Sequence, residues 1–157
     1  MTTFEEQVRS NSLALISLAV AFIALGYNTW RNETTESHRN VREASFRVLE
    51  SLGELQEVAD HRYYYFPFED NEGREGELRL RGFGHVAMVR DLMNLMPVPA
   101  PAASDELFQL WNEHFNALAE LDKDGRHSEA AKMAEKELAD AIRSARAAVI
   151  EVLVMLD

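Results

Sequence analysis

LALISLAVAFIALGYNTW, residues 13–30, is the stretch on which the fold turns: it has no charged side chain, and only Ser17, Asn28 and Thr29 are clearly polar. As a helix rising about 1.5 Å per residue it covers about 27 Å, close to the roughly 30 Å hydrocarbon core of a bilayer. The run therefore predicts a transmembrane anchor. Tyr27 and Trp30 stand at its far end, where amphipathic rings favour the headgroup level, and Arg31 follows directly, so these three read as interfacial anchors. A cleaved secretory signal fits poorly, because Glu5 and Glu6 offset Arg9 and the run ends in bulky rings rather than small residues. The competing reading is a helix buried inside a soluble oligomer, since the strictly apolar part is only residues 13–27.

Orientation follows from the flanking cations. Arg31, Arg39, Arg42 and Arg47 lie after the run, whereas only Arg9 and the amino terminus precede it. Positive flanks stay inside, so the expectation is an inner-membrane, single-pass protein with a short outer tail (residues 1–12) and a cytoplasmic C-terminal part. Ala14, Ser17, Ala21 and Ala24 form a stripe of small side chains at steps of three and four, a face on which another helix can pack closely. The partners expected are the lipid bilayer and either a second copy or another membrane protein. Residues 26–56, GYNTWRNETTESHRNVREASFRVLESLGELQ, resemble small bacterial inner-membrane proteins with one anchor; the likeness implies no named family and no activity.

Working outward, 157 residues with 46% hydrophobic side chains suit a single small domain with a real core. Lys and Arg number 16 against 27 Asp and Glu, a net charge of −11, which argues against affinity for phosphate backbones and so against nucleic acid as a partner. With no Cys, disulfides, zinc–thiolate sites and thiol catalysis are excluded together.

Residues 31–157 read as a set of amphipathic helices. Val41, Val48, Leu52, Leu55 and Ala59 recur at helical spacing, with Phe46 and Leu49 widening the face, so the anchor helix is expected to continue into the bundle. Pro67 disfavours helix before it, which places a break at Tyr63, Tyr64, Tyr65, Phe66 and Phe68 and a loop near 67–76. A second helix is expected over about 78–96, with Phe83, Val86, Val89, Leu92, Met93 and Met96 on one side; Gly82 and Gly84 weaken its first turns. Three alternating prolines near 97–103 predict a stiff extended connector. Ser104 then reads as an N-cap for a helix reaching about Leu121, with Leu107, Leu110, Trp111, Phe115, Leu118 and Leu121 inward. A connector near 122–127 leads to a last helix from Ser128, carrying Ala134, Leu138, Ala141, Ile142, Ala145, Val149, Val152, Leu153 and Leu156 inward. The fold class is all-α: an N-terminal transmembrane helix continuing into an up-and-down bundle of about four helices.

The sequence carries no motif for a catalytic residue, a metal ligand set or a cofactor. His38, His61, His85, His114 and His127 form no HxxxH or HExxH pair, and not one ExxH element of a di-iron bundle is present. Glu57 and His61 are four apart and read as a solvated ion pair. Gly82-Phe-Gly84 is only GxG, and no GxSxG occurs. The most unusual local feature is the ring cluster Tyr63, Tyr64, Tyr65, Phe66 and Phe68. It is expected to plug the end of the bundle; the alternative is an exposed docking patch, which solvent exposure of Tyr64 and Tyr65 would favour. The function expected is a non-enzymatic, membrane-anchored interaction or scaffold module. The alternatives are an accessory subunit of a larger membrane complex, or a ligand-sensing four-helix domain of opposite topology.

Overall fold

The computed structural model describes residues 12–68 and 73–156; the side chains of Leu13 and Leu15 lie outside the described set. The expected tail at 1–12 thus falls almost wholly outside it, as does part of the loop expected near 67–76. The described chain is helical throughout its main elements: α1 (Ser12–Asp60), α2 (Arg74–Met93), α3 (Ala100–His114) and α4 (Glu129–Met155). A π-turn (His61–Tyr65) and two 3-10 turns (Phe66–Phe68 and Ala117–Ala119) complete it, and an isolated bridge pairs Leu121 with His127. The chain divides into two compact units between Asn40 and Val41.

In the first unit every described residue over 16–33 is exposed, including Ile16, Leu18, Val20, Phe22, Ile23 and Leu25. Among the described residues no helix is long and apolar enough to cross a membrane. The transmembrane anchor expected at 13–30 is therefore not supported by the described helix; that span includes Leu13 and Leu15, whose side chains lie outside it. Thr29, Thr34 and Thr35 each donate their hydroxyl to the carbonyl four residues back, at 2.9–3.0 Å. Each hydroxyl shares a carbonyl that the helix ladder already uses, which satisfies the polar side chain at a small cost to the helix.

The second unit is the bundle, and its topology follows from contacts at its two ends. Ser45 meets Met96 and Arg42 reaches the carbonyl of Leu156 at one end; Arg62 meets Phe115 and Tyr63 stacks on His127 at the other. The bundle part of α1, then α2, α3 and α4, consequently run up, down, up and down. Val48, Leu52, Leu55, Val58, Val86, Val89, Met93, Leu107, Trp111, Phe115, Leu138, Ile142 and Val149 fill the core. Steps of three and four back from Val48 lead to Ser45 and Val41, so Ser45 is buried and Phe46, expected on the apolar face, is 64% exposed. Leu121 and Leu156, expected inward, are only half-buried.

The helix starts differ from expectation where proline is involved. α3 begins at Ala100 directly after Pro99, with Pro101 in its first turn, so most of the expected extended connector is helix. Proline's fixed φ suits a first helical turn, and the N–H it lacks has no partner there in any helix. Ser104 is consequently not the cap: it is buried inside α3 and donates to the Pro101 carbonyl at 2.8 Å. Ser128 does cap α4, accepting from the Ala131 N–H at 3.0 Å.

Candidate functional site

The far end of the bundle gathers the chain's least ordinary chemistry. After α1 ends at Asp60 the helical path widens, and the Phe66 N–H bonds to the His61 carbonyl five residues back. A π-turn inserts a residue into the helical register and swings the side chains that follow it. Arg62 turns inward and is 3% exposed, while Tyr64 and Tyr65 turn outward.

Arg62 joins three segments. Its Nε donates to the Phe115 carbonyl at 2.7 Å, its Nη2 to Glu75 Oε1 at 3.3 Å, and its guanidinium lies 4.2 Å from the Phe115 ring centroid and 5.0 Å from that of Phe66. The Phe115 carbonyl is available because α3 ends at His114 and leaves its last carbonyls without helical partners. A cation there also complements the negative end of the helix dipole. Burial pushes the Arg62 guanidinium below its ordinary pKa, opposed by the Glu75 carboxylate.

Around this anchor the rings divide. Tyr63 and Phe66 pack against the core. Tyr63 stacks on His127 with centroids 3.9 Å apart and planes 11° from parallel, and Phe68 meets the same imidazole edge-on at 5.4 Å. Tyr64, Tyr65 and Phe68 are 53%, 58% and 58% exposed. The five-ring cluster is thus partly plug and partly open patch. Tyr64's phenol is held above its ordinary pKa, first by partial burial and then by the nearby carboxylate of Glu135, by Tyr63 and by Asp60.

His127 is positioned by a tight loop. Asp122 Oδ1 accepts from the backbone N–H groups of Asp124 at 2.8 Å and Arg126 at 3.0 Å, and Gly125 adopts φ +74°, a conformation that favours glycine. The Arg126 and Asp124 N–H bonds hold the Asp122 carboxyl below its ordinary pKa.

The remaining sequence candidates are dispersed. The solvated Glu57–His61 pair does not form: Glu57 faces Arg81 at 3.8 Å, and His61 lies against the Tyr65 ring at 5.6 Å. His114 is buried at the α3–α4 seam with Nε2 2.7 Å from Glu137 Oε2. Beside it runs a shallow groove lined by Glu106, Leu110, Glu137, Asp140, Ala141 and Ser144. Among the described residues no three His, Cys, Asp or Glu converge to hold a metal ion. In the first unit Ala14, Ser17, Ala21 and Ala24 are exposed, as are Tyr27, Trp30 and Arg31, and the Tyr27 and Trp30 rings sit 6.2 Å apart.

Nothing in the sequence pattern marks Arg62. A single arginine beside a run of rings gives no spacing signal, and only the carbonyl left free at the end of α3, distant in sequence, reveals its role. Comparison of the chain with protein-family models, with curated proteins and with solved structures gives no match.

Proposed function

We propose that this chain is a non-enzymatic, membrane-anchored helical protein whose bundle serves as an interaction or scaffold module at the cytoplasmic face of the inner membrane. The observation that carries the reading is the exposure of Ile16, Leu18, Val20, Phe22, Ile23 and Leu25 on successive sides of α1. A helix that is apolar all round needs a hydrophobic covering. Each such side chain gains about 1.5–3 kcal/mol on leaving water, so an isolated aqueous helix of this composition is strongly disfavoured. Lipid is the covering that also accounts for the Tyr27, Trp30 and Arg31 border and for the arginines that follow. Confinement to a surface then raises the effective concentration of any bundle partner, so a weak contact persists. The small side chains of Ala14, Ser17, Ala21 and Ala24 offer a face for pairing with a second copy in the bilayer.

Alkaline carbonate extraction of membranes tests the reading. The protein is expected to stay in the pellet, and replacing Val20, Phe22 and Ile23 by Ser is expected to release it. Recovery of the unaltered chain in the supernatant refutes anchoring and favours burial of the same helix in a soluble oligomer.

A further inference from the structure

Inside the bundle, rings and arginines are matched. Arg62 covers Phe66 and Phe115, Arg79 lies 5.2 Å from the Phe83 centroid and Arg90 4.5 Å from that of Phe108. Tyr64, Tyr65 and Phe68 are exposed and have no cation over them among the described residues. Asp60 stands four residues before Tyr64 on the same helical run, and Glu135 lies in the second turn of α4, just after the His127 on which Tyr63 stacks; both carboxylates also raise the Tyr64 phenol electrostatically. Among the described residues Asp60 is bonded only to the neutral amide of Gln56, at 2.7 Å, and Glu135 forms no ion pair. Of the cations at this end, Arg126 lies 2.7 Å from Asp124 and Lys132 2.6 Å from Glu129. The patch therefore presents half-exposed rings beside two carboxylates that form no ion pair with a described residue, on a chain of net charge −11.

We infer that Tyr64, Tyr65 and Phe68, with Asp60 and Glu135, form the docking surface for a cationic segment of a partner protein, one that lays arginine or lysine side chains on the rings and pairs them with the carboxylates. A planar guanidinium or an ammonium gains from a ring face and a carboxylate together, whereas an anionic partner is repelled and an apolar one leaves both carboxylates unused. The inference rests on the proposed role as an interaction module and names its class of partner.

The test uses the full-length chain in nanodiscs of zwitterionic phosphatidylcholine, so that the probe meets no anionic lipid. The probe is a peptide of three arginines alternating with glycines, with its glutamate counterpart as control, and binding is read by calorimetry and by the aromatic NMR signals. Saturable binding of the arginine peptide alone is expected, with shifts at Tyr64, Tyr65 and Phe68. The Asp60→Asn, Glu135→Gln double variant should weaken it about fivefold, since each carboxylate lost removes one exposed ion pair. Tyr64→Ala should weaken it about threefold and Tyr64→Phe should not, because the ring face and not the hydroxyl carries the contact. Glu106→Gln in the α3–α4 groove, a surface carboxylate far from the patch, should leave binding unchanged; an equal loss there would mean non-specific attraction and overturn the assignment. Absence of binding overturns it too, as do undiminished affinity in the double variant and ring signals that move with protein concentration alone, which would make the face a contact between copies. Failure of the membrane reading is seen separately, in the carbonate extraction.

Discussion

Gly82 and Gly84 stand two residues apart on α2 and meet opposite surroundings. A Cβ on Gly82 would run into the Trp111 indole and approach Val58 Cγ1 at 3.2 Å, whereas one on Gly84 meets nothing within 4 Å. Trp111 is fully buried, so the glycine that admits its ring is a packing requirement and not a helix weakness. Gly82→Ala should destabilise the bundle by roughly 1–3 kcal/mol through overpacking, even though alanine is the better helix former. Gly84→Ala should stabilise it by roughly 0.5–1 kcal/mol, by the same propensity with no steric penalty. Chemical denaturation of the two variants checks the pair; equal effects would remove Trp111 as the reason for Gly82.

At the scale of elements, the apolar spacing marked all four helices and nearly the whole core, because a buried helical face must repeat every three or four residues whatever lies beside it. What escaped were events at helix ends, where the deciding partner is remote in sequence. Pro101 reads as a breaker until Ala100 is seen to begin a helix around it, and Ser104 reads as a cap until it is found a turn inside. The open and closed halves of the ring cluster were likewise illegible, since the π-turn at His61–Tyr65 sets which rings point outward and leaves no periodic trace. The loop before α4 is a similar end effect with a testable pH signature. The lowered pKa of Asp122 means that its bonds to Asp124 and Arg126 are intact above the ordinary aspartate value, about 3.9, and are lost only as pH falls through the lower folded value. The amide signals of Asp124 and Arg126 should therefore titrate with a midpoint below that ordinary value. A midpoint at or above it would show that the two N–H bonds do not hold the carboxylate.

For the molecule as a whole, the two units make different demands on their surroundings. The described residues of 41–156 bury a continuous apolar core against one another, and the described residues of 12–40 do not. That division separates the apolar surface the described chain covers itself from the apolar surface it leaves open. Within the bundle, the Arg62 to Phe115 bond joins residues 53 positions apart, while α3 and α4 are joined by the 14 residues 115–128. Closing the longer loop costs more chain entropy, so the α3–α4 hairpin is expected to assemble early and the guanidinium to seat late. Arg62→Met should then leave the refolding rate nearly unchanged and speed unfolding, a latch whose loss shortens the native lifetime without altering how that lifetime begins. Stopped-flow folding and unfolding rates would show it, and a slowed refolding limb would place Arg62 in the nucleus instead.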